Sequence, residues 1–498
     1  MIKASKPFFK HLYITPPLAS SHCKLLLSQP LATISPYLQY HRNSYFSSQK
    51  DEIPAKSNLA TAQQLEYQAL RLLQEYNHEE AFKQLDKALK IRETLKNEEN
   101  HEMAQIYEAL QHLMSPKKHA EQLLKLEKVK LTVLSKFQEE NEKAYANCNH
   151  NIGYYLNLLG NPSEAQEYLK QAAAIFLKDK SLSYQHAITL ENLSADLAEA
   201  GDYETCLETS SLACEILSEK EKSETQKFPY VNAGKAFFYK GVSLRTQDRI
   251  FEAKESLETS IGYFQKLNSQ HETYALALMH LGECLLDFER VDDAENNFSK
   301  ALELLKAKKN NSKKHKLTVA EVSSALGRIH WSKNNEEQAL ECFQDSYKVY
   351  EEINEHEDIR GLVVLLTIAR VLRQMGKDPL STLEKVFPKW LALGVSDEML
   401  IPVYFDYGVA LQLAGRTDDA LRIFEEGINF VKSSGGSDKL HAAQLWYQAG
   451  LIYSERNDHK TAVSYLSSAL PNFEALFGSN SEIALSCKSQ LENSQKLL

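Results

Sequence analysis

From about residue 59 onward, apolar residues recur three or four places apart in short runs, and each run closes on a small or turn-forming residue. This is the period of amphipathic helices and not of strands, so a chain of paired helices is predicted. The stretch NIGYYLNLLGNPSEAQEYLKQAA, from Asn151, shows the rule: Gly153, Gly160, Ala165 and Ala172 are small, with Leu156 and Leu169 between them. The same spacing returns with Gly241 and Ala253; with Gly282, Ala294 and Phe298; and with Gly327, Ala339 and Phe343. It returns again with Gly408, Gly415, Ala420 and Phe424, and with Gly450, Ala462 and Leu466. Weaker copies centre on Ser194 with Gly201, on Ala369 with Gly376, and on Ala69 with Ala81 and Ala88.

The pattern resembles the tetratricopeptide repeat. Anchors from Gly153 to Gly450 advance 297 residues in seven steps, about 42 each against an ordinary period of ~34. The longer period is similar to the kinesin-light-chain variety, as are the junctions at ALKIRETLKNEENHEMAQIYEAL and LPNFEALFGSNSEIALSCKSQL. The resemblance implies an all-α fold: a right-handed superhelical solenoid of nine to ten antiparallel helix pairs. Small residues would sit where the first helix (A) of each pair crosses the second (B), and Gly, Asn or Asp midway would end helix A. One pair cannot bury its apolar face alone, so neighbours must stack. Divergent repeats are expected over 59–146, the solenoid core over 147–475 and a capping helix over 476–498.

The first fifty residues differ. They hold Lys3, Lys6, Lys10, Lys24, Lys50 and Arg42, eight serines, five of the thirteen prolines and no acid. Their charge is +6, which leaves −16 on the rest of a −10 chain. Basic, Ser-rich, acid-free starts are those of organelle presequences. HRNSYFSSQK resembles the end of a mitochondrial one. A mitochondrial presequence is expected over 1–48 and a linker over 49–58. The expected address is the matrix or the matrix-facing inner membrane, with a plastid or the cytosol as alternatives. The longest nearly apolar run, Gly361 to Leu372, contains Arg370 and is too short to span a bilayer.

Catalytic and metal motifs are lacking. HEMAQ at His101 and HETYA at His271 have no second histidine, and the seven cysteines include no C-x-x-C. Cys148 and His150 stand two apart and so point to different sides of a helix. No enzyme activity, cofactor or metal is expected. The basic run KAKKNNSKKHK, Lys306 to Lys316, falls in a loop between repeats, as a solvated segment or an anion contact. An acidic body disfavours specific nucleic-acid binding.

Function is therefore expected on the concave face lined by A helices. The residues placed there are Asn151, Tyr154, Asn157, Asn192, Tyr239, Arg245, His280, Glu283, Arg328, Trp331, Arg370 and Arg373. Asn151 and Asn192 match the asparagine with which kinesin-light-chain-type repeats are known to grip a peptide backbone. Arg245, Arg328, Arg370 and Arg373 form either a positive stripe for an acidic segment or pairs with nearby acids. The clamp for chaperone C-termini is missing: its positions read His150, Tyr154, Asn192, Lys235 and Tyr239. The expected partners are one or more proteins, held as an extended or helical segment, with a respiratory-complex assembly or maintenance factor as the specific form. An RNA- or ribosome-associated organellar factor and a cytosolic cargo adaptor are the alternatives.

Overall fold

The computed structural model describes residues 58–75, 77–94, 114–135, 141–223, 228–267, 271–308, 312–353, 358–395, 397–434 and 439–498. The expected presequence, the linker up to residue 57, Cys23 and the motif at His101 lie outside them. The described residues form twenty α-helices and no strand. The fold is an all-α array of antiparallel helix pairs of the tetratricopeptide kind.

Two compact units divide the chain, Met1–Arg290 and Val291–Leu498. In the first lie α1 (Asn58–Gln74), α2 (His78–Thr94), α3 (Ala120–Leu134), α4 (Glu142–Leu158) and α5 (Pro162–Phe176). They are followed by α6 (Ser183–Ala200), α7 (Tyr203–Ser223), α8 (Tyr230–Thr246), α9 (Ile250–Lys266) and α10 (Glu272–Asp287). The second holds α11 (Val291–Ala307), α12 (Lys313–Ser332), α13 (Glu336–Glu352), α14 (Ile359–Gln374) and α15 (Leu380–Ala392). After these come α16 (Asp397–Leu413), α17 (Thr417–Ser434), α18 (Lys439–Glu455), α19 (His459–Phe477) and α20 (Glu482–Lys496).

The anchors show why the small residues fall where they do. A Cβ added at Gly153 would lie 2.6 Å from Leu169 Cγ, at Gly241 2.7 Å from Leu257 Cγ, and at Gly450 2.8 Å from Leu466 Cγ. At Gly327 it would lie 2.9 Å from the Phe343 ring, and at Gly408 it would run into the Phe424 ring. The large B-helix residue stands sixteen places after each anchor and fills the space that the missing side chain leaves. The alanines of helix B, Ala165, Ala253, Ala294, Ala339, Ala420 and Ala462, are all fully buried. The carbonyls of Ala165 and Ala253 close against the anchors at 3.2 and 3.3 Å from the added Cβ.

Seven places after each anchor the backbone turns left-handed. Gly160, Gly201, Gly376 and Gly415 take it there, and so do Asp248, Glu289, Asn334 and Asn457. The next N–H then bonds back into helix A, as Asn161 does to Leu156 O at 2.9 Å and Arg290 to Leu285 O at 2.8 Å. This is the Schellman closure, which satisfies an orphan carbonyl. Glu289 departs from the expected Gly, Asn or Asp. It holds the turn in spite of its Cβ, at a conformational cost of about 1–2 kcal/mol.

One expectation needs correction. The basic run is not a loop throughout: α12 begins at Lys313, capped by Ser312, whose Oγ accepts from His315 N at 3.3 Å. His315 is buried against Leu305 O, while Lys306 and Lys316 pair with Asp345 at 3.6 Å and Glu352 at 3.3 Å. The cap residue and the apolar positions of α12 pull the lysines onto its first turn.

Gly408→Ala should therefore destabilise the protein by about 1–3 kcal/mol through overpacking. Gly262→Ala, mid-helix in α9 with nothing within 4 Å of the added Cβ, should be neutral or stabilise by up to about 1 kcal/mol. Chemical denaturation of the two variants checks this, and equal effects would contradict it.

Candidate functional site

The A helices present different faces in the two units. A helices touch in both units: α4 on α6, α6 on α8 and α8 on α10 in the first, α14 on α16 and α16 on α18 in the second. In the first unit most of the positions expected to line a groove are inside. Tyr239 is 2% exposed and His280 1%, and Asn157, Asn192 and Glu283 are buried as well. These five do not line an open groove. Asn151 is half-buried, and its Nδ2 donates to Glu127 Oε1 at 2.6 Å, so this amide is already engaged within the chain. Tyr154 is half-buried and packs on the core of α1–α3.

Polar partners make this burial possible, since a buried polar group must be hydrogen-bonded and a buried charge paired. Glu191, fully buried, accepts from Asn232 Nδ2 at 2.8 Å and forms an ion pair with buried Lys235. Arg245 Nη1 lies 2.9 Å from Glu283 Oε2, and His280 Nδ1 lies 3.0 Å from the same oxygen. Arg245 is thus neutralised and contributes nothing to a positive stripe. His150 Nδ1 meets Thr189 Oγ1 at 2.9 Å, and that hydroxyl donates to Gln185 O at 2.7 Å. His150 must then be the donor, and burial, which pulls its pKa down to about 4, keeps the ring neutral. Cys148 donates to Glu127 Oε2 at 2.8 Å; burial first and that carboxylate second push its thiol up, which makes it a poor nucleophile.

Asp196 is fully buried in the same seam. Burial lifts its pKa to about 8, with Glu199 and Glu191 adding to the rise, while Asn157 and Lys235 oppose it. Burial thus favours its protonated form.

In the second unit the A-helix face remains accessible. Arg328 and Trp331 of α12 are half-buried, as are Arg370 and Arg373 of α14 and Phe405 of α16. A polar ladder ties these helices. Trp331 Nε1 donates to Gln374 Oε1 at 2.6 Å, and Gln374 Nε2 donates to Glu336 Oε1 at 2.9 Å. Arg370 Nε reaches Asp406 Oδ2 at 2.5 Å, and Arg373 Nη1 reaches Asp406 Oδ1 at 2.9 Å. Asp406 itself is 3% exposed. Of the expected four-arginine stripe, Arg245 is paired in the first unit and Arg370 and Arg373 share one carboxylate here. Gln374 and the pairing role of Asp406 were not legible beforehand. Their one signal is spacing: Asp406 follows Arg370 by 36 residues and Gln374 follows Trp331 by 43, near one repeat length.

Two segments match family models described as tetratricopeptide repeat, residues 146–178 and 400–475. They cover α4–α5 and α16–α19, and the chain thus carries tetratricopeptide repeats. Proteins built of such repeats are generally scaffolds for protein–protein interaction. No curated protein sequence matches the chain. Among solved structures, apo RapI aligns with 70% of this chain and 97% of its own, at 14% identity and a TM-score of 0.48. The apo quorum sensor NprR from B. thuringiensis aligns with 72% of this chain and 97% of its own, at 12% identity and a TM-score of 0.44. Kinesin-light-chain TPR-like repeats from Podosopora anserina align with 40% of this chain and 95% of their own, at 16% identity and a TM-score of 0.35. Among the described residues, no helix is long and apolar enough to cross a membrane.

The buried Asp196 predicts an unusual pH profile. Its folded pKa of about 8 lies above the ordinary 3.8. Between these values the folded chain holds a proton that the unfolded chain has lost, so stability falls as pH rises. Asp196→Asn should flatten the decline in Tm between about pH 5 and about pH 8 and should leave the variant the more stable form at the upper end. Thermal melts across that range check it; an unchanged slope would contradict it.

Proposed function

We propose that this chain is a non-enzymatic scaffold of mitochondria that holds a segment of a partner protein against the A-helix face of its second unit. The observation that carries the reading is the contrast between the two units. In the first, Glu191 pairs with Lys235 and Glu283 with Arg245; in the second, Trp331, Arg370, Arg373 and Phe405 keep accessible surface. Aromatic and arginine side chains held rigidly at a partly exposed face are the residue types that anchor interfaces. The mitochondrial address is supported by the acid-free, +6 opening of fifty residues. A role in assembling or maintaining a respiratory complex is the specific form of this proposal.

Proximity labelling tests it, with the native N-terminus intact and the labelling enzyme fused after Leu498. The expected result is matrix or inner-membrane neighbours that include subunits of one respiratory complex, together with recovered peptides that begin near Ser47. Neighbours confined to cytosolic motors or vesicles, with Met1 retained, would overturn the address and favour a cargo adaptor. Neighbours dominated by mitochondrial ribosome proteins and lost on RNase treatment would favour the RNA-associated alternative.

A further inference from the structure

Resting on the scaffold reading, we infer that the Arg370–Asp406–Arg373 cluster receives carboxylate side chains, and that the segment held by the second unit is an acidic peptide. Two guanidiniums meet one carboxylate, which leaves a local charge of +1 on a chain whose formal charge is −10. Each arginine commits one donor to Asp406, Nε from Arg370 and Nη1 from Arg373. A guanidinium carries five N–H donors, so each has others to direct elsewhere. The arginine side chains are 30% and 31% exposed, while that of Asp406 is 4% exposed. The buried carboxylate thus acts as a strut beneath two cations that face outward.

Holding both guanidiniums in place before binding removes much of the side-chain entropy loss that a peptide would otherwise meet. The planar fork suits a carboxylate, with which it makes paired charge-assisted hydrogen bonds. Trp331, its indole held by Gln374, and Phe405, adjacent in sequence to Asp406, add partly exposed aromatic surface on the helices before and after α14. An acidic peptide with aliphatic side chains between its acids fits both features. A nucleic acid fits less well, because a local surplus of one charge does not neutralise a run of phosphates.

Fluorescence anisotropy on the full chain tests this, with a fluorescein-labelled Glu-Leu repeat peptide as probe and a Gln-Leu repeat peptide as control. The Glu peptide should bind about ten-fold tighter or better, the scale of one charge-assisted hydrogen bond, and should weaken as salt is raised. Arg373→Gln should lose most of that preference. Because a single arginine loss leaves buried Asp406 under-paired, the combined variant Arg370→Gln/Arg373→Gln/Asp406→Asn provides the second arm. It removes all three charges together, and it should bind both peptides alike while melting as the wild type does. Equal affinity of the wild-type chain for the two peptides would overturn the acidic-peptide inference and leave the scaffold reading standing. Binding of neither peptide would also overturn the inference, and the scaffold reading would then be judged by its own labelling result. A combined variant that keeps the preference would place the acid-binding site elsewhere and overturn the assignment to this cluster.

Discussion

Everything in this array depends on how closely helix A can approach helix B. At Gly153, Gly241, Gly327, Gly408 and Gly450 a single added carbon would collide with the Leu or Phe sixteen residues later. That contact sets the depth to which the large B-helix residue sinks and, through it, the register of the pair. Register in turn decides where the left-handed turn falls, seven residues after the anchor, and so how the chain re-enters helix B. A protein interior tolerates little change of volume at such a point, which is why the spacing is kept while the surrounding residues vary. Ser194 and Ala369 stand where other repeats have glycine.

Much of this was legible in the sequence, because steric constraints write themselves as small residues at fixed intervals. The A–B crossings, the turns and the stacked-pair architecture all follow from that pattern. The polar positions on the A helices were legible only by type. Asn192, Tyr239 and Glu283 read as groove residues from their place in the repeat, yet they are buried beside Glu191, Asn232 and Lys235, which bind one another from positions about one repeat apart. Periodicity reports that a residue is polar; it does not report whether its partner is solvent, a ligand or the next repeat. The same limit hid the Glu66–Arg92 pair of α1 and α2, fully buried and bidentate at 2.9 and 2.8 Å. Nothing local marks either residue as buried. The turn at Glu289 is a different kind of miss: a residue with a Cβ occupies a left-handed position because the helix ends there whatever the side chain is.

The buried polar seam of the first unit and the half-open face of the second follow from one rule applied to different residues. Where facing A helices offer complementary partners, as Glu191 does to Lys235 and Glu283 to Arg245, the helices close and the polar groups serve stability. Where they offer a mismatch, as two arginines do to Asp406, the cluster is left with a net positive charge. A binding face in a repeat array can therefore be sought where pairing between neighbouring repeats is incomplete, and the face proposed above, on α12–α14–α16, meets that criterion.

Hydroxyl-radical footprinting of the free full-length protein, read residue by residue, tests the contrast between the two units most directly. The structure predicts strong labelling at Trp331, Phe405 and Tyr447, all half-buried on A helices of the second unit. It predicts protection of Phe238, Tyr239, Met279 and His280, all between 1% and 2% exposed on α8 and α10. Comparable labelling of both sets would mean that the first unit also presents an open groove, and would contradict the assignment of the binding face to the second.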